Sequence, residues 1–337
     1  MNNPNHSDVL IIGGGPTGST LATLLARAGL NVRVFEKEIF PRDHVGESLL
    51  PYCYEIFKEL GVLDEMNKCF SRKPGVQFTG IDGKDYSIWC FGHVIKDDSY
   101  LSYHVLRATF DKMLLDHSVA NGARVYEGTR VTGVQHVKPY HWEVSTINKD
   151  GEKQDFTTSF LLDASGQDAF WINSKRIREP YEGLMRAAFA THWSGVKYDE
   201  SLNEGLIQIV YLGGEKKGWL WMIPLEHDRL SIGLALNADY VKSKRQELVA
   251  AGSTDWQKDL YMSEVFQAEK AKEILANAHT VQPLISISDF SYFTKDQHGE
   301  DYALVGDAVA FLDPIFSSGI YIGIKSASLV ANRLISN

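Results

Sequence analysis

Three glycines and one acid mark the first place where chemistry could be done. Gly13, Gly15 and Gly18, with Pro16 and Thr17 among them, follow the apolar run Val9-Leu10-Ile11-Ile12 and open an Ala/Leu-rich stretch. That spacing suits a strand, a tight turn and a helix. Gly13 allows the turn, Gly15 lets the backbone approach a pyrophosphate, and Gly18 lets the helix pack closely on the strand. The pyrophosphate would rest on the free amides at the helix start. Glu36, followed by Lys37, ends the next strand at 31–35, where a carboxylate accepts hydrogen bonds from a ribose diol and disfavours a phosphorylated ribose. The chemistry is dinucleotide binding, and these residues alone leave open whether the ligand is a flavin or a nicotinamide nucleotide.

Other candidates lie further along the chain. Gly46-Glu47-Ser48 reads as a loop with a helix cap. Lys73 stands just before Pro74, where most lysines are solvated surface groups. Trp219 and Trp221 alternate in a strand-like run and so share one face. Near the end, a short apolar strand runs into Gly306-Asp307, and Asp313-Pro314-Ile315-Phe316-Ser317-Ser318-Gly319-Ile320 opens a last helix. A second helix start of this kind can meet an anion or the hydroxyls of a ribityl chain. The eleven histidines show no HxH or HxxxH pair, and the cysteines, Cys53, Cys69 and Cys90, include no CxxC, so neither a metal site nor a disulfide framework is expected.

The elements that must position these residues can be read coarsely. At 337 residues, with 44% hydrophobic and 23% charged content, the chain has the composition of a soluble globular protein with a large core. A net charge of -9 argues against nucleic acid and against an anionic membrane as partner, and no apolar run reaches the length of a membrane span. Without a signal peptide in MNNPNHS, the expected location is cytoplasmic. Helices are expected through Tyr54–Leu60 and from Phe110 to a stop at Asn121-Gly122. Alternation at 130–137, 141–147 and 155–162 predicts an antiparallel meander, ending in Asp163-Ala164-Ser165-Gly166. Four more strands follow at 184–193, 206–212, 219–224 and 229–236, then helical stretches at 238–251 and 256–278. The fold class is therefore α/β (α+β): a Rossmann-like nucleotide-binding domain with an inserted, largely antiparallel sheet that roofs the site. The expected boundaries are 1–80, 101–183 and 279–337 for the first domain, and 81–100 and 184–278 for the roof.

This order of motifs resembles the FAD domain of the hydroxylase-like flavoproteins. It comprises GxGxxG with its glutamate, Arg107 before the FDKMLL run, DASG, and GDAVAFLDP before a last helix. Three shorter pieces resemble the flavin-dependent halogenases, especially the branch acting on phenols and carrier-tethered pyrroles: GESLLP, WLWMIP and DPIFSSGI. The resemblance implies FAD as cofactor, held by Gly13, Gly15, Pro16, Thr17, Gly18, Glu36 and Lys37 at the nucleotide end. Gly46, Glu47, Ser48, Arg107, Gly306, Asp307, Pro314, Ser318, Gly319 and Ile320 would complete the cofactor site.

The resemblance also implies that halide, chloride or bromide, is oxidised through a flavin hydroperoxide to hypohalous acid. Ser318 and Gly319 would cradle the halide, Trp219 and Trp221 would mark the halogenase wall, and Lys73 would pass the halogen to a small electron-rich aromatic. Electrons would come from a separate flavin reductase. Tryptophan halogenases carry a glutamate where this chain has Phe316, which favours the phenol or pyrrole branch, with substrate free or bound to a carrier protein. Family members continue past the last helix, whereas this sequence ends at Asn337. Some relatives attach FAD covalently to an aspartate near Asp313. Two other readings stay open: aromatic hydroxylation or geranylgeranyl-reductase-like reduction with NAD(P)H, and flavin binding without turnover.

Overall fold

The computed structural model describes residues 4–226 and 228–336, and the expected strand, turn and helix are present as His6–Ile12 and Pro16–Arg27. Proline suits the first helical position, because its missing N–H has no partner there anyway. The strand pairs in parallel with Val32–Phe35 on one side and Lys153–Asp163 on the other, and Arg124–Tyr126 extends the sheet beyond Val32–Phe35. The long strand Lys153–Asp163 serves two sheets' worth of neighbours. Its first half pairs antiparallel with His141–Asn148, which pairs with Thr129–Lys138, and its last three residues pair in parallel with Tyr302–Leu304. The predicted meander is thus an extension of the nucleotide sheet.

On one side of this sheet the helices Pro16–Arg27, Arg107–Ala120 and Gly319–Ile335 pack together. Leu21, Leu25, Phe110, Ile324 and Ala327 are fully or almost fully buried at their junction. The first residues of all three helices, Pro16 and Thr17, Arg107, and Gly319 and Ile320, border one cavity.

The second sheet has eight strands. Its main path runs His279–Thr280, Arg186–Ser194, Arg229–Asn237, Trp219–Leu225, Ile207–Tyr211, Gly75–Gly80 and Tyr86–Cys90, with Ile285–Ser288 also on Arg186–Ser194. All neighbours are antiparallel except Ile207–Tyr211 with Gly75–Gly80, which are parallel. The sheet therefore draws strands from both sides of the boundaries expected at residues 80 and 279. Its alternation sorts the side chains. Leu220, Met222 and Leu234 face the helices Ala238–Ala250 and Trp256–Val265, whereas Trp219, Trp221, Ile223 and Ile209 face the nucleotide domain.

Two stretches of the chain are divided between elements. The run at 71–80 breaks at Pro74, so that Ser71–Lys73 pairs with Ser102–His104 while Gly75–Gly80 enters the roof sheet. Proline cannot donate to a ladder, which makes it a natural point of exchange. The helical stretch at 256–278 is two helices, Trp256–Val265 and Glu269–Ile274. The Glu269 N–H donates to the Ile81 carbonyl at 3.1 Å, a partner outside the helix.

Candidate functional site

A cavity of about 870 Å³ lies between the two sheets and runs from the glycine turn to the tryptophan wall. At the nucleotide end, Gly13 has φ +100°, and a Cβ there would lie 2.5 Å from the Ala164 carbonyl oxygen. A Cβ on Gly18 would lie 2.0 Å from the Gly13 carbonyl oxygen, so helix and strand touch where no side chain fits. Gly15 differs from both. Its nearest neighbour on the Cβ side is the Arg42 guanidinium at 3.7 Å, so the room above it belongs to the cavity. No side chain caps the helix that begins at Pro16, which leaves its first amides free for a ligand.

Glu36 is buried and oriented by the backbone. Its Oε2 accepts the Gly14 N–H at 2.7 Å and its Oε1 the Glu38 N–H at 2.8 Å. A carboxylate keeps further lone pairs, and these face the cavity that Glu36 lines. Lys37 forms an ion pair with Asp168 at the same end.

Arg107, expected as a cofactor contact, lines the cavity but spends most of its guanidinium on the protein. Nε and Nη2 donate to Asp111 at 2.7 and 2.8 Å, and Nη1 donates to the Val45 carbonyl at 2.8 Å. Burial pushes the Asp111 carboxyl up, but Arg107 and then Arg42 outweigh it and hold the group below its ordinary value. Arg107 thus pins Val45-Gly46 to the helix beneath, and Gly46, Glu47 and Ser48 wall the cavity above. Burial, then the charge of Arg107, lowers His44 to about 4, so its ring is neutral at physiological pH. Asp307 lines the cavity opposite, where burial raises its carboxyl to about 6 against the pull of Arg107.

Trp219 and Trp221 line the roof side. Trp221 lies opposite Gly233, and a Cβ on that glycine would come within 2.0 Å of the indole, so glycine is what lets the ring lie flat on the sheet. Pro314, Gly319 and Ile320 line the wall below. Ser318 stands at the N-cap position just before the 17-residue last helix, and its side chain makes no capping hydrogen bond. Gly18, Lys73, Gly306 and Ser318 are not in the lining. Gly306 packs instead against Thr17, where a Cβ would meet Thr17 Oγ1 at 2.9 Å.

Lys73 sits behind the wall. It is 2% exposed, and its Nζ donates to the Leu49 carbonyl at 2.9 Å and lies 5.4 Å from the centre of the Phe91 ring. Burial lowers its amine from the usual 10.5 to about 7. Asp313 is also outside the lining. Its Oδ2 accepts from Arg186 at 2.7 Å and its Oδ1 from the Ile315 N–H at 2.9 Å, which engages both oxygens.

Two contributions were not read from the sequence. Arg42 comes from a charged turn and stands beside Gly15, held by Asp111 at 2.8 Å; its charge was visible but its direction was not. His192 Nε2 shares a buried hydrogen bond with the Glu47 carboxyl, which ties the roof sheet to the cavity wall. Nothing in the local sequence around either residue announces its partner, 69 positions away for Arg42 and 145 for His192.

The cavity's open glycine, uncapped helix start, oriented acid and apolar far wall fit an FAD molecule. Glu36 would hold its ribose, the amides after Gly15 with Arg42 its pyrophosphate, and Asp307 its ribityl chain. The flavin ring would lie towards the tryptophan wall. These features define a Rossmann-like flavoprotein, and residues 6–337 match the family described as FAD binding domain.

The relatives narrow this further. The chain is 33% identical to a tryptophan 2-halogenase of Chondromyces crocatus, over 98% of this chain and 61% of that one. It is 30% identical to a 1H-pyrrole-2-carbonyl-[peptidyl-carrier protein] chlorinase of Pseudomonas fluorescens, over 97% of this chain and 75% of that one. The solved structure of the myxobacterial chondrochloren halogenase superposes with a TM-score of 0.86 at 30% identity, covering 99% of this chain and 75% of the other. The chain belongs to the flavin-dependent halogenase family. It spans about three fifths to three quarters of the length of these relatives. Among the described residues, no helix is long and apolar enough to cross a membrane, and no cluster of His, Cys, Asp or Glu could hold a metal ion.

Proposed function

We propose that this protein halogenates a small electron-rich aromatic, a phenol or a pyrrole, free or tethered to a carrier protein, with reduced flavin delivered by a separate reductase. Three unpaired cysteines accord with a reducing cytoplasm as its location. The observation that carries the reading is Lys73, a buried amine just behind the wall of a tryptophan-lined flavin cavity. Bound reduced flavin supplies, with oxygen, the two-electron oxidation that makes a halide electrophilic.

The chain's own residues do the rest. The free amides at Ser318-Gly319 hold the halide as an anion at a helix N-terminus. Ile207, Ile209, Phe290 and Phe311 line the cavity with apolar surface and limit the water that would consume an electrophile. Lys73, behind the wall, would donate a hydrogen bond from Nζ to the oxidised halogen once that has left the cavity and direct it to the aromatic carbon. With burial setting the amine to about 7, both its charged and uncharged forms are populated at neutral pH.

The test compares wild type with Lys73→Met in the presence of a flavin reductase, NADH, FAD, bromide and a panel of phenols and pyrroles. Wild type yields brominated product, and the variant binds FAD equally but yields none. Equal product from the variant would falsify the role of Lys73. Hydroxylated or reduced products independent of bromide would replace the proposal with hydroxylase or reductase chemistry on the same fold.

A further inference from the structure

A small ladder behind the cavity wall carries a row of polar groups that the proposed reaction does not yet use. Leu49 N–H donates to the Tyr103 carbonyl at 2.9 Å and Val105 N–H to the Glu47 carbonyl at 2.7 Å, so residues 47–49 run alongside Ser102–His104. Ser48 lies opposite His104, His104 opposite Ser71, and Ser102 opposite Lys73. Opposed and alternate residues of a ladder project from the same face. Ser48, His104, Ser102 and Lys73 therefore share one, from the cavity, which Ser48 lines, to the buried amine.

Along this face Ser48 Oγ, Ser102 Oγ and His104 Nδ1 have no hydrogen-bond partner among the described residues, although the three residues are only 6%, 2% and 0% exposed. Buried polar atoms in such a position hold ordered water or a neighbouring donor. The Lys73 amine has donors to spare, since the Leu49 carbonyl takes one N–H. The histidine's tautomer is set by its other nitrogen. His104 Nε2 lies 2.8 Å from the Gly205 carbonyl oxygen, which can only accept, so Nε2 carries the proton and Nδ1 keeps its lone pair. Burial, and then the charge of Lys73, lowers the imidazole to about 3, which keeps the ring neutral. The other titratable group that acts on Lys73 is Cys53, from the turn Pro51–Cys53, whose thiol burial raises to about 12.

We propose that His104 is a positioning residue for Lys73: its Nδ1 accepts an N–H of the amine through a water shared with Ser102 and Ser48. The inference rests on the reading of Lys73 as the working amine of the site. An acceptor beside an ammonium favours the charged form, so His104 opposes part of the effect of burial and keeps the amine poised near neutrality.

The test reads Lys73 without turnover. FAD-loaded protein carrying isotope-labelled lysine is titrated by NMR, with the Lys73 signal assigned by its loss in Lys73→Met. His104→Gln retains a donor for the Gly205 carbonyl but loses the acceptor at the Nδ1 position, whereas His104→Asn retains an acceptor there. The wild-type midpoint is expected near 7, His104→Gln lowers it by about one unit, and His104→Asn stays close to wild type. Ser102→Ala, which leaves the Gly205 bond untouched, shifts it in the same direction by less. Identical midpoints in wild type, His104→Gln and Ser102→Ala overturn the proposal, and so does an equal shift in both histidine variants, since that marks packing alone. If the midpoints behave as expected in a protein that halogenates nothing, the positioning role stands and the proposed function falls.

Discussion

At the nucleotide end of the cavity the binding surface is backbone, made of glycines and helix-start amides from one short stretch of chain, residues 13–18, with a single acid at Glu36. At the tryptophan end it is side chain, with Glu47 and Trp221 in the cavity wall and Lys73, His104 and His192 packed behind it, drawn from four separate strands and a wall segment. The first end has to admit a ligand whose shape is constant, and backbone geometry suffices. The second has to hold an amine and its neighbours in a buried, poised state, and that depends on partners far apart in sequence. The two ends should therefore fail differently when changed.

The largest effect is expected at the backbone end. Gly18→Ala places a Cβ 2.0 Å from the Gly13 carbonyl oxygen, where neither main chain can move, and should abolish FAD binding together with the cooperative unfolding transition. Gly15→Ala sharpens the point. Its Cβ meets nothing nearer than Arg42 at 3.7 Å, so the apoprotein should melt as wild type does while FAD affinity, followed by flavin fluorescence, falls at least about tenfold. Normal FAD affinity in Gly15→Ala would show that the room above that glycine is not the pyrophosphate site.

At the side-chain end, His192→Leu removes one member of the buried pair with Glu47 and leaves the other without its partner. Leaving the buried Glu47 oxygen without its hydrogen bond costs about 1–3 kcal/mol, readable as a lower midpoint in urea, with Gly-turn FAD contacts unaffected. An unchanged midpoint would mean that the pair contributes nothing to holding roof and wall together.

Lys73→Met works in the opposite direction. Burial lowers the amine from 10.5 to about 7, so between those values the unfolded chain binds a proton that the folded one does not. Wild-type stability attributable to this group therefore rises as pH climbs through that window, and below it the full cost of a buried charge applies. The variant should be more stable than wild type by on the order of a few kcal/mol at and below neutral pH, with the difference shrinking towards pH 10.5. A pH-independent difference would show that Lys73 is not desolvated in the folded protein.

The smallest effect belongs to Lys37, whose ion pair with Asp168 is partly exposed, at 32% and 49% for the two side chains. Lys37→Ala should change stability by less than about 1 kcal/mol, and that contribution should disappear in high salt. A larger or salt-independent loss would mean that the pair acts as part of the cavity's frame.

Much of the fold was legible because its cues are local. The apolar run before Gly13, the proline opening the helix, the alternating meander and the paired tryptophans each fix an element through the conformations their own residues allow. The exchange of strands at Pro74 was not, because the proline marks a break without saying which sheet receives the chain on either side. Arg42 offered only a charge. Its approach to Gly15 depends on Asp111, which comes from a helix 69 positions later.

The sequence by itself determined the nucleotide end, since tight turns, close helix packing and free amides follow from glycine spacing within a few residues. It also determined that the two indoles share one face of Trp219–Leu225, because side chains alternate along a strand. Only the tertiary structure decided that Lys73 is a buried amine rather than a surface one, that Glu47 meets His192, and that Gly205 sets the tautomer of His104. Burial and the partners that offset it are properties of the assembled interior, and no stretch of chain carries them before it has folded.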